Sequence, residues 1–120
     1  MLDDLKFIHQ KDPQDSLGIA EKEWQQLELK FELPDLHPNF ENIVYAGMGG
    51  SALAALLSRS WPGYSLPFDV CRQYHIPAHV SEKTLFIASS YSGNTEESLS
   101  ALAEAEKKNA KILTIASGGK

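Results

Sequence analysis

The side chains with the most chemistry to offer lie in the stretch SSYSGNTEESL, residues 89–99, which directly follows the apolar run TLFIA. Four of them are serines or threonines within seven positions: Ser89, Ser90, Ser92 and Thr95. A helix needs a single capping side chain at its start, so the cluster exceeds what capping requires. These residues suit a phosphate-binding loop and, equally, a serine-rich turn.

Capping explains some of the polar residues in this stretch without any ligand. Asn94 and, three positions later, Glu97 match a variant capping box, and Glu96 and Glu97 complement the positive end of a helix dipole. We give neither glutamate a role as a catalytic base, because an anion beside a bound phosphate is repelled unless it points away.

A glycine-rich turn, YAGMGGSALA, forms a second candidate loop. Glycines let the backbone turn tightly and leave N–H groups open to an anion at a helix N-terminus. Gly47, Gly49 and Ala52 also satisfy the GxGxxA pattern of dinucleotide-binding folds. That alternative needs an acidic residue at the end of the second strand, whereas Asp69 stands near its start.

Two kinds of element position these loops. Residues 1–41 are predicted to form a helical extension, with a plausible N-cap at Asp15 or Ser16 and a break at Pro34, Pro38 and Asn39. Its apolar residues recur at spacings of three and four: Leu17, Ala20, Trp24, Leu27 and Phe31.

From residue 42 onward, short apolar runs alternate with helical segments, which predicts βαβ units and a parallel sheet. The strands are NIVYA, PFDVCRQY, TLFIASS and KILTIAS, with Arg72 and Gln73 ending the second. The helix in SALAALLSRS is apolar on nearly all sides, so we expect another element to cover it. The helix over residues 95–109 should bury Leu99, Leu102 and Ala103 and end at Asn109.

Ligands of open parallel sheets bind beyond the carboxyl ends of the strands, where the chain order reverses. The loops after the first and third strands are the glycine turn and the hydroxyl cluster. We therefore expect backbone N–H groups and hydroxyls to meet there and to enclose one phosphate.

Composition excludes several classes. The formal charge of −5 over 120 residues gives no basic footprint for nucleic acid. No apolar run is long enough for a membrane span and no signal peptide is recognisable, so we expect a cytoplasmic protein.

The single Cys71 is expected to be an unreactive residue of the core. His75 and His79 flank Pro77, which prevents a helical metal pair, and we read His75 as a satisfied loop histidine.

Several segments together resemble the bifunctional phosphoglucose/phosphomannose isomerases, which are sugar isomerase (SIS) domain proteins. They are GMGGSA, YHIP, TLFIASSYSGNTEESLSALAEA and AKILTIASGGK, in the expected order and spacing over residues 42–120. The resemblance implies an α/β fold, a flavodoxin-like open parallel sheet of four strands forming an incomplete SIS domain. It also implies a phosphorylated hexose as ligand and aldose to ketose isomerisation through a cis-enediol, without metal or organic cofactor.

The residue roles implied by this resemblance fall into three groups. Gly49, Gly50 and Ser51 border the sugar, Ser90, Ser92 and Thr95 take the phosphate, and Asn94 supports the loop. The arginine, glutamate, histidine and lysine that family enzymes use in catalysis have no counterpart in this sequence, so no catalytic residue is assigned.

We expect this chain to be the front portion of a longer fold, or to borrow cover from a partner, because the fourth strand is followed only by SGGK. A symmetric dimer is expected because the uncovered sheet edge and the apolar helix both need cover. We expect negligible catalytic turnover from the chain alone. A non-catalytic phosphosugar sensor and a dinucleotide-binding half-domain remain as alternatives.

Overall fold

The computed structural model of the protein describes residues 4–30, 32, 39–60 and 63–119. The chain divides into two compact units, Met1–Leu36 and His37–Lys120. Of the residues named above, Phe31, Pro34 and Pro38 lie outside the described residues. Within the described residues, no helix is long and apolar enough to cross a membrane.

In the N-terminal unit, the described residues form three short helices, in agreement with the predicted helical extension. Helix α1 spans Leu5–Lys11, α2 spans Ser16–Lys22, and a 3₁₀ helix follows over Glu23–Glu28. The residues predicted from this spacing extend over α2 and the 3₁₀ helix, and Trp24 is 57% and Leu27 90% exposed. A 3₁₀ helix has three residues per turn, which moves successive side chains off the line that a spacing of 3.6 would give.

The N-cap of α2 is Asp15, one of the two predicted residues. Its backbone is left-handed, φ 53°, and its side chain makes no capping hydrogen bond. The Leu17 N–H instead donates to Asp12 Oδ2 at 2.9 Å. That bond is the main reason why the pKa of the Asp12 carboxyl is lowered.

The second unit is a four-stranded parallel sheet, which confirms the predicted α/β fold class. Its strands are β1 (Asn42–Gly47), β2 (Phe68–Cys71), β3 (Thr84–Ser89) and β4 (Lys111–Ile115), in the order β2-β1-β3-β4. Helix α3 (Gly50–Ser58) follows β1 and helix α4 (Glu96–Lys107) follows β3. β1 and β3 are neighbours at the centre, so the chain runs outward from them in opposite directions.

Strand β2 is shorter than predicted. Its last residue, Cys71, pairs with Ala46, and β1 turns away after Gly47. Arg72 and Gln73 were predicted as the last residues of this strand. They follow it instead, because no neighbouring strand extends far enough to pair with them. Asp69 pairs with Val44 inside the sheet, which weakens the dinucleotide-binding interpretation because that site needs an acid at the carboxyl end.

The core lies between α4 and one face of the sheet. Val44 and Phe86 are fully buried, and they pack with Ala101 and Ala105 of the helix. The helix therefore turns Ser98, Ala101 and Ala105 inward, and Ala103 is exposed. The predicted inward set of Leu99, Leu102 and Ala103 is wrong in part, because small side chains let α4 approach the large strand residues closely.

The termination of α4 follows the prediction. Asn109 has φ 56°, the left-handed conformation that commonly ends helices, and the Ala110 N–H bonds back to Ala105 O. Asparagine tolerates this conformation better than most residues. After this turn at Asn109 the chain continues into β4, which begins at Lys111.

Helix α3 covers the other face of the sheet. Ala52 and Ala55 are buried, whereas Leu53 and Leu57 are 64% and 73% exposed. Within the described residues nothing covers these leucines, and β4 pairs only with β3. The expected cover of α3 is thus not provided by the described part of this chain.

Candidate functional site

The two candidate loops meet at the carboxyl ends of the central strands. Gly47 at the end of β1 pairs with Ser89 at the end of β3. Past these strand ends, the Tyr91 N–H donates to Ser51 Oγ at 3.3 Å and so links the two loops directly. The expected position at the switch point is confirmed by the strand order.

The glycine turn leaves backbone donors available. Gly49, the N-cap of α3, has φ 52° and ψ −128°, a conformation that glycine adopts most readily. The Ser51 and Ala52 N–H groups bond within the turn, to Met48 O and Gly49 O. The N–H groups of Gly49 and Gly50 have no backbone acceptor among the described residues, so they are free to bind an anion.

The base of this turn is fixed from two sides. A Cβ added at Gly47 would lie 3.1 Å from Ser89 O and 3.2 Å from Ser51 O, so a larger residue would crowd the backbone there. The Tyr45 hydroxyl donates to Ser51 O at 3.1 Å and anchors the first turn of α3 to β1. These contacts hold Ser51 beside the hydroxyl loop.

In the hydroxyl loop, two of the predicted phosphate ligands are paired with each other. Ser90 Oγ and Thr95 Oγ1 are 2.9 Å apart, and Ser90 is only 8% exposed. Each hydroxyl has further hydrogen-bonding capacity, because it can donate one bond and accept two. This pair lies at the inner side of the loop.

The outer side of the loop is a turn held by its own side chains. Ser92 is exposed, and its Oγ accepts from the Asn94 N–H at 3.2 Å. Asn94 Nδ2 in turn donates to Ser92 O at 3.2 Å. Thr95, and not Asn94, is the N-cap of α4 and makes no side-chain capping bond, so the predicted capping box is wrong. Asn94 is engaged in the turn itself, which leaves it unable to cap.

Tyr74, in the loop after β2, lies close to two acidic side chains of α4, Glu96 and Glu97. The Tyr74 hydroxyl donates to Glu96 Oε2 at 3.3 Å. The negative charge of Glu97, followed by burial and the charge of Glu96, raises the pKa of the Tyr74 hydroxyl. Sequence patterns gave no signal for this contact, which joins residues 22 positions apart.

His75 and His79 both have acidic partners. His75 Nδ1 lies 2.7 Å from Glu104 Oε1, while Glu104 Oε2 accepts from the Ile76 N–H at 3.0 Å. The bond from His75, then that from Ile76, lowers the pKa of the Glu104 carboxyl. The interpretation of His75 as a satisfied loop histidine is confirmed. His79 Nε2 lies 3.3 Å from Asp69 Oδ2, and no group of three potential metal ligands occurs among the described residues.

Two cavities lie near the loops. The larger, about 430 Å³, is an open cleft beside the end of β2 and includes Arg72, Gln73 and His75. The smaller, about 250 Å³, lies between α4 and β4 and is lined by Ser90 and by Ser98, whose buried Oγ has no hydrogen-bond partner in the described part of the chain. Neither of these two cavities includes Ser51 or Tyr91, whereas the smaller is lined by Ser90, one of the predicted phosphate ligands.

Parts of this chain are similar in sequence to some known proteins and in fold to others. No family model matches the chain. It is 56% identical over 82 residues to the bifunctional phosphoglucose/phosphomannose isomerase of Thermoplasma acidophilum, and 49% identical over 84 residues to the protein of that name in Caldicellulosiruptor bescii. The matches cover 68% of this chain but only 26% and 25% of those relatives.

A solved structure supports the fold independently. The crystal structure of a protein from Bacillus subtilis, titled a phosphosugar isomerase, superposes with a TM-score of 0.57 at 24% sequence identity. The match covers 66% of this chain and 26% of that one. At this level of identity the likeness concerns the fold.

Proposed function

The chain is homologous to part of the bifunctional phosphoglucose/phosphomannose isomerases, and we propose that it forms the N-terminal, phosphosugar-binding part of such an enzyme. The substrates are glucose 6-phosphate or mannose 6-phosphate, each interconverted with fructose 6-phosphate. The role of this chain is to bind and orient the phosphorylated hexose. No cofactor takes part in the proposed reaction, and the protein acts in the cytoplasm as a homodimer.

The observation that carries this proposal is the contact between Ser51 Oγ and the Tyr91 N–H. It brings the free N–H groups of the glycine turn next to the hydroxyls of the second loop. A phosphate dianion needs several donors from different directions, since each contributes only modestly. Two loops at one sheet edge can supply them together.

In the proposed complex, the glycine turn and the hydroxyl loop divide the ligand. Gly49, Gly50 and Ser51 border the sugar. The phosphate is held by the hydroxyls of Ser90, Ser92 and Thr95, with Asn94 stabilising the turn between them. Ser90 and Thr95 are already oriented by their mutual hydrogen bond, which reduces the entropy lost on binding.

Isomerisation between C1 and C2 requires a base that moves a proton along one face of the enediol. Two acidic side chains lie in the first turn of α4, next to the hydroxyl loop. Glu96 accepts a hydrogen bond from Tyr74, and an anion such as Glu97 beside a bound phosphate would be repelled unless it pointed away. We therefore assign no base among the described residues and expect negligible turnover from the 120-residue chain alone. The same engagement favours a second candidate function, a non-catalytic phosphosugar-binding module.

Thermal denaturation of the 120-residue chain with added ligands tests the proposal. Fructose 6-phosphate and glucose 6-phosphate should raise the Tm, because a ligand present at about 100 times its Kd stabilises the folded state by about 2.7 kcal/mol. Glucose, which lacks the phosphate, and a nicotinamide dinucleotide serve as controls. Stabilisation by the dinucleotide and not by the sugar phosphates would contradict the proposal.

Variants locate the site. Ser92→Ala and Thr95→Val should each weaken fructose 6-phosphate binding. Ser60→Ala should not, because the exposed Ser60 hydroxyl bonds to Leu57 O near the end of α3, away from both loops. Isomerase activity with the same sugar phosphates in a longer protein that contains this chain would distinguish the enzyme from the binding module.

A further inference from the structure

The segment that follows β4 lies against the hydroxyl loop. Ser117 donates twice to one acceptor, the Tyr91 carbonyl oxygen, through its backbone N–H at 3.1 Å and its Oγ at 2.5 Å. The Ser90 N–H donates to Ile115 O at 3.0 Å. The loop is thus bound at Ser90 to the last residue of β4 and at Tyr91 to the chain just beyond that strand.

Glycines make this approach possible. A Cβ added at Gly93, where φ is 67°, would overlap the Gly118 carbonyl oxygen. A Cβ at Gly119, where φ is 105°, would lie 2.6 Å from Gly93 Cα. The two backbones are therefore in direct contact, and side chains at these positions would separate them.

The contact with Ser117 determines the orientation of one peptide group. In a trans peptide the C=O and the following N–H point in opposite directions. Since the Tyr91 C=O points to Ser117, the Ser92 N–H points to the other side of the Tyr91–Ser92 peptide. Among the described residues that N–H has no backbone acceptor, so it is available as a donor.

We propose that Ser117 is a positioning residue of the anion-binding loop. Its two hydrogen bonds hold the Tyr91 carbonyl, a partial negative charge, away from the ligand and present the Ser92 N–H to an anionic phosphate group. The ligand assignment rests on the proposed function, whereas the orientation of the peptide does not. Ser117 itself makes no contact with the ligand.

The orientation is tested first in the ligand-free chain by NMR. In Ser117→Ala, which removes one of the two donors, the ¹³C′ resonance of Tyr91 and the amide resonance of Ser92 should shift. Ser117→Thr, which retains a hydroxyl, should leave both near their wild-type positions. Resonances that are unchanged in Ser117→Ala would overturn the inference.

The effect on binding is tested by calorimetry with fructose 6-phosphate. Loss of one hydrogen bond to the Tyr91 carbonyl should weaken binding roughly 3- to 10-fold in Ser117→Ala, and Ser117→Thr should restore it. Gly93→Ala, which forces the segment after β4 away, should give a loss at least as large. Equal affinity in the wild type and in Ser117→Ala would overturn the role of Ser117 in binding.

The two proposals fail in different ways. A wild-type chain that binds no sugar phosphate contradicts the proposed function and, with it, the role of Ser117 in binding. The NMR comparison still decides the orientation of the Tyr91–Ser92 peptide in that case. A wild-type chain that binds, with no difference between Ser117→Ala and Ser117→Thr, contradicts only the role of Ser117.

Discussion

The Ser51 hydroxyl oxygen accepts a hydrogen bond from the Tyr91 N–H at 3.3 Å, across 40 positions of sequence. This bond joins the loop after β1 to the loop after β3. In a parallel sheet these loops meet only when their strands are neighbours, as β1 and β3 are. The bond is therefore a direct consequence of the strand order and the geometric basis of the proposed site.

Ser51→Ala should weaken fructose 6-phosphate binding by about tenfold, because it removes both the link to Tyr91 and a group proposed to border the sugar. Calorimetric titration measures the change. Ser58→Ala, at the other end of α3, is the matched control, since among the described residues its hydroxyl bonds only to Ala55 O. Equal losses in both variants would indicate a general effect on the helix.

Gly49→Ala should lower the free energy of unfolding by about 1–2 kcal/mol through backbone strain alone. Its φ is 52°, yet an added Cβ would meet no atom within 4 Å. Gly50→Ala has the same open space without the positive φ, so its stability should equal or slightly exceed that of the wild type. Urea denaturation of the two variants separates strain from crowding, and an equal loss in both would refute the strain.

Ala101→Leu should destabilise the protein by about 1–3 kcal/mol, because the fully buried Ala101 packs in the core shared by α4 and the sheet. Ala103→Leu on the exposed side of the same helix should change stability by less than about 0.5 kcal/mol. Thermal denaturation compares the two. The opposite ranking would mean that α4 presents Ala103 to the sheet.

The contact of Glu104 with His75 and Ile76 should make stability depend on pH. The folded-state pKa of Glu104 is lowered from the ordinary value of 4.5, so its carboxylate stabilises the fold above that pH. The contribution is lost as the pH falls through the lowered pKa. Glu104→Gln should therefore be less stable than the wild type near neutral pH, and the difference should shrink in acid.

Urea denaturation at a series of pH values measures this difference. Glu106→Gln is the matched control, because Glu106 is exposed on α4. A gap between Glu104→Gln and the wild type that does not change with pH would show that the carboxylate charge is not involved.

Interpretation of the sequence was most successful where the signal is local. The apolar runs correctly predicted all four strands, and the left-handed Asn109 correctly marked the end of α4. Errors arose where two elements compete for the same space. The inward face of α4 was predicted at Leu99, Leu102 and Ala103. Leu102 does pack against the core, but the buried positions are Ser98, Ala101 and Ala105, and Ala103 is exposed. Capping by Asn94 was predicted from spacing, whereas its side chain is engaged by Ser92.

The amino-acid sequence by itself determined the parallel α/β fold and the two polar loops at the carboxyl ends of its strands, because both follow from apolar periodicity and from glycine and hydroxyl content within short windows. Tertiary structure alone decided which groups contact each other across the fold. Ser117 meets Tyr91 over 26 positions and His75 meets Glu104 over 29. Such contacts depend on how closely backbones can approach, as at Gly93 and Gly118, and a linear pattern carries no measure of that distance.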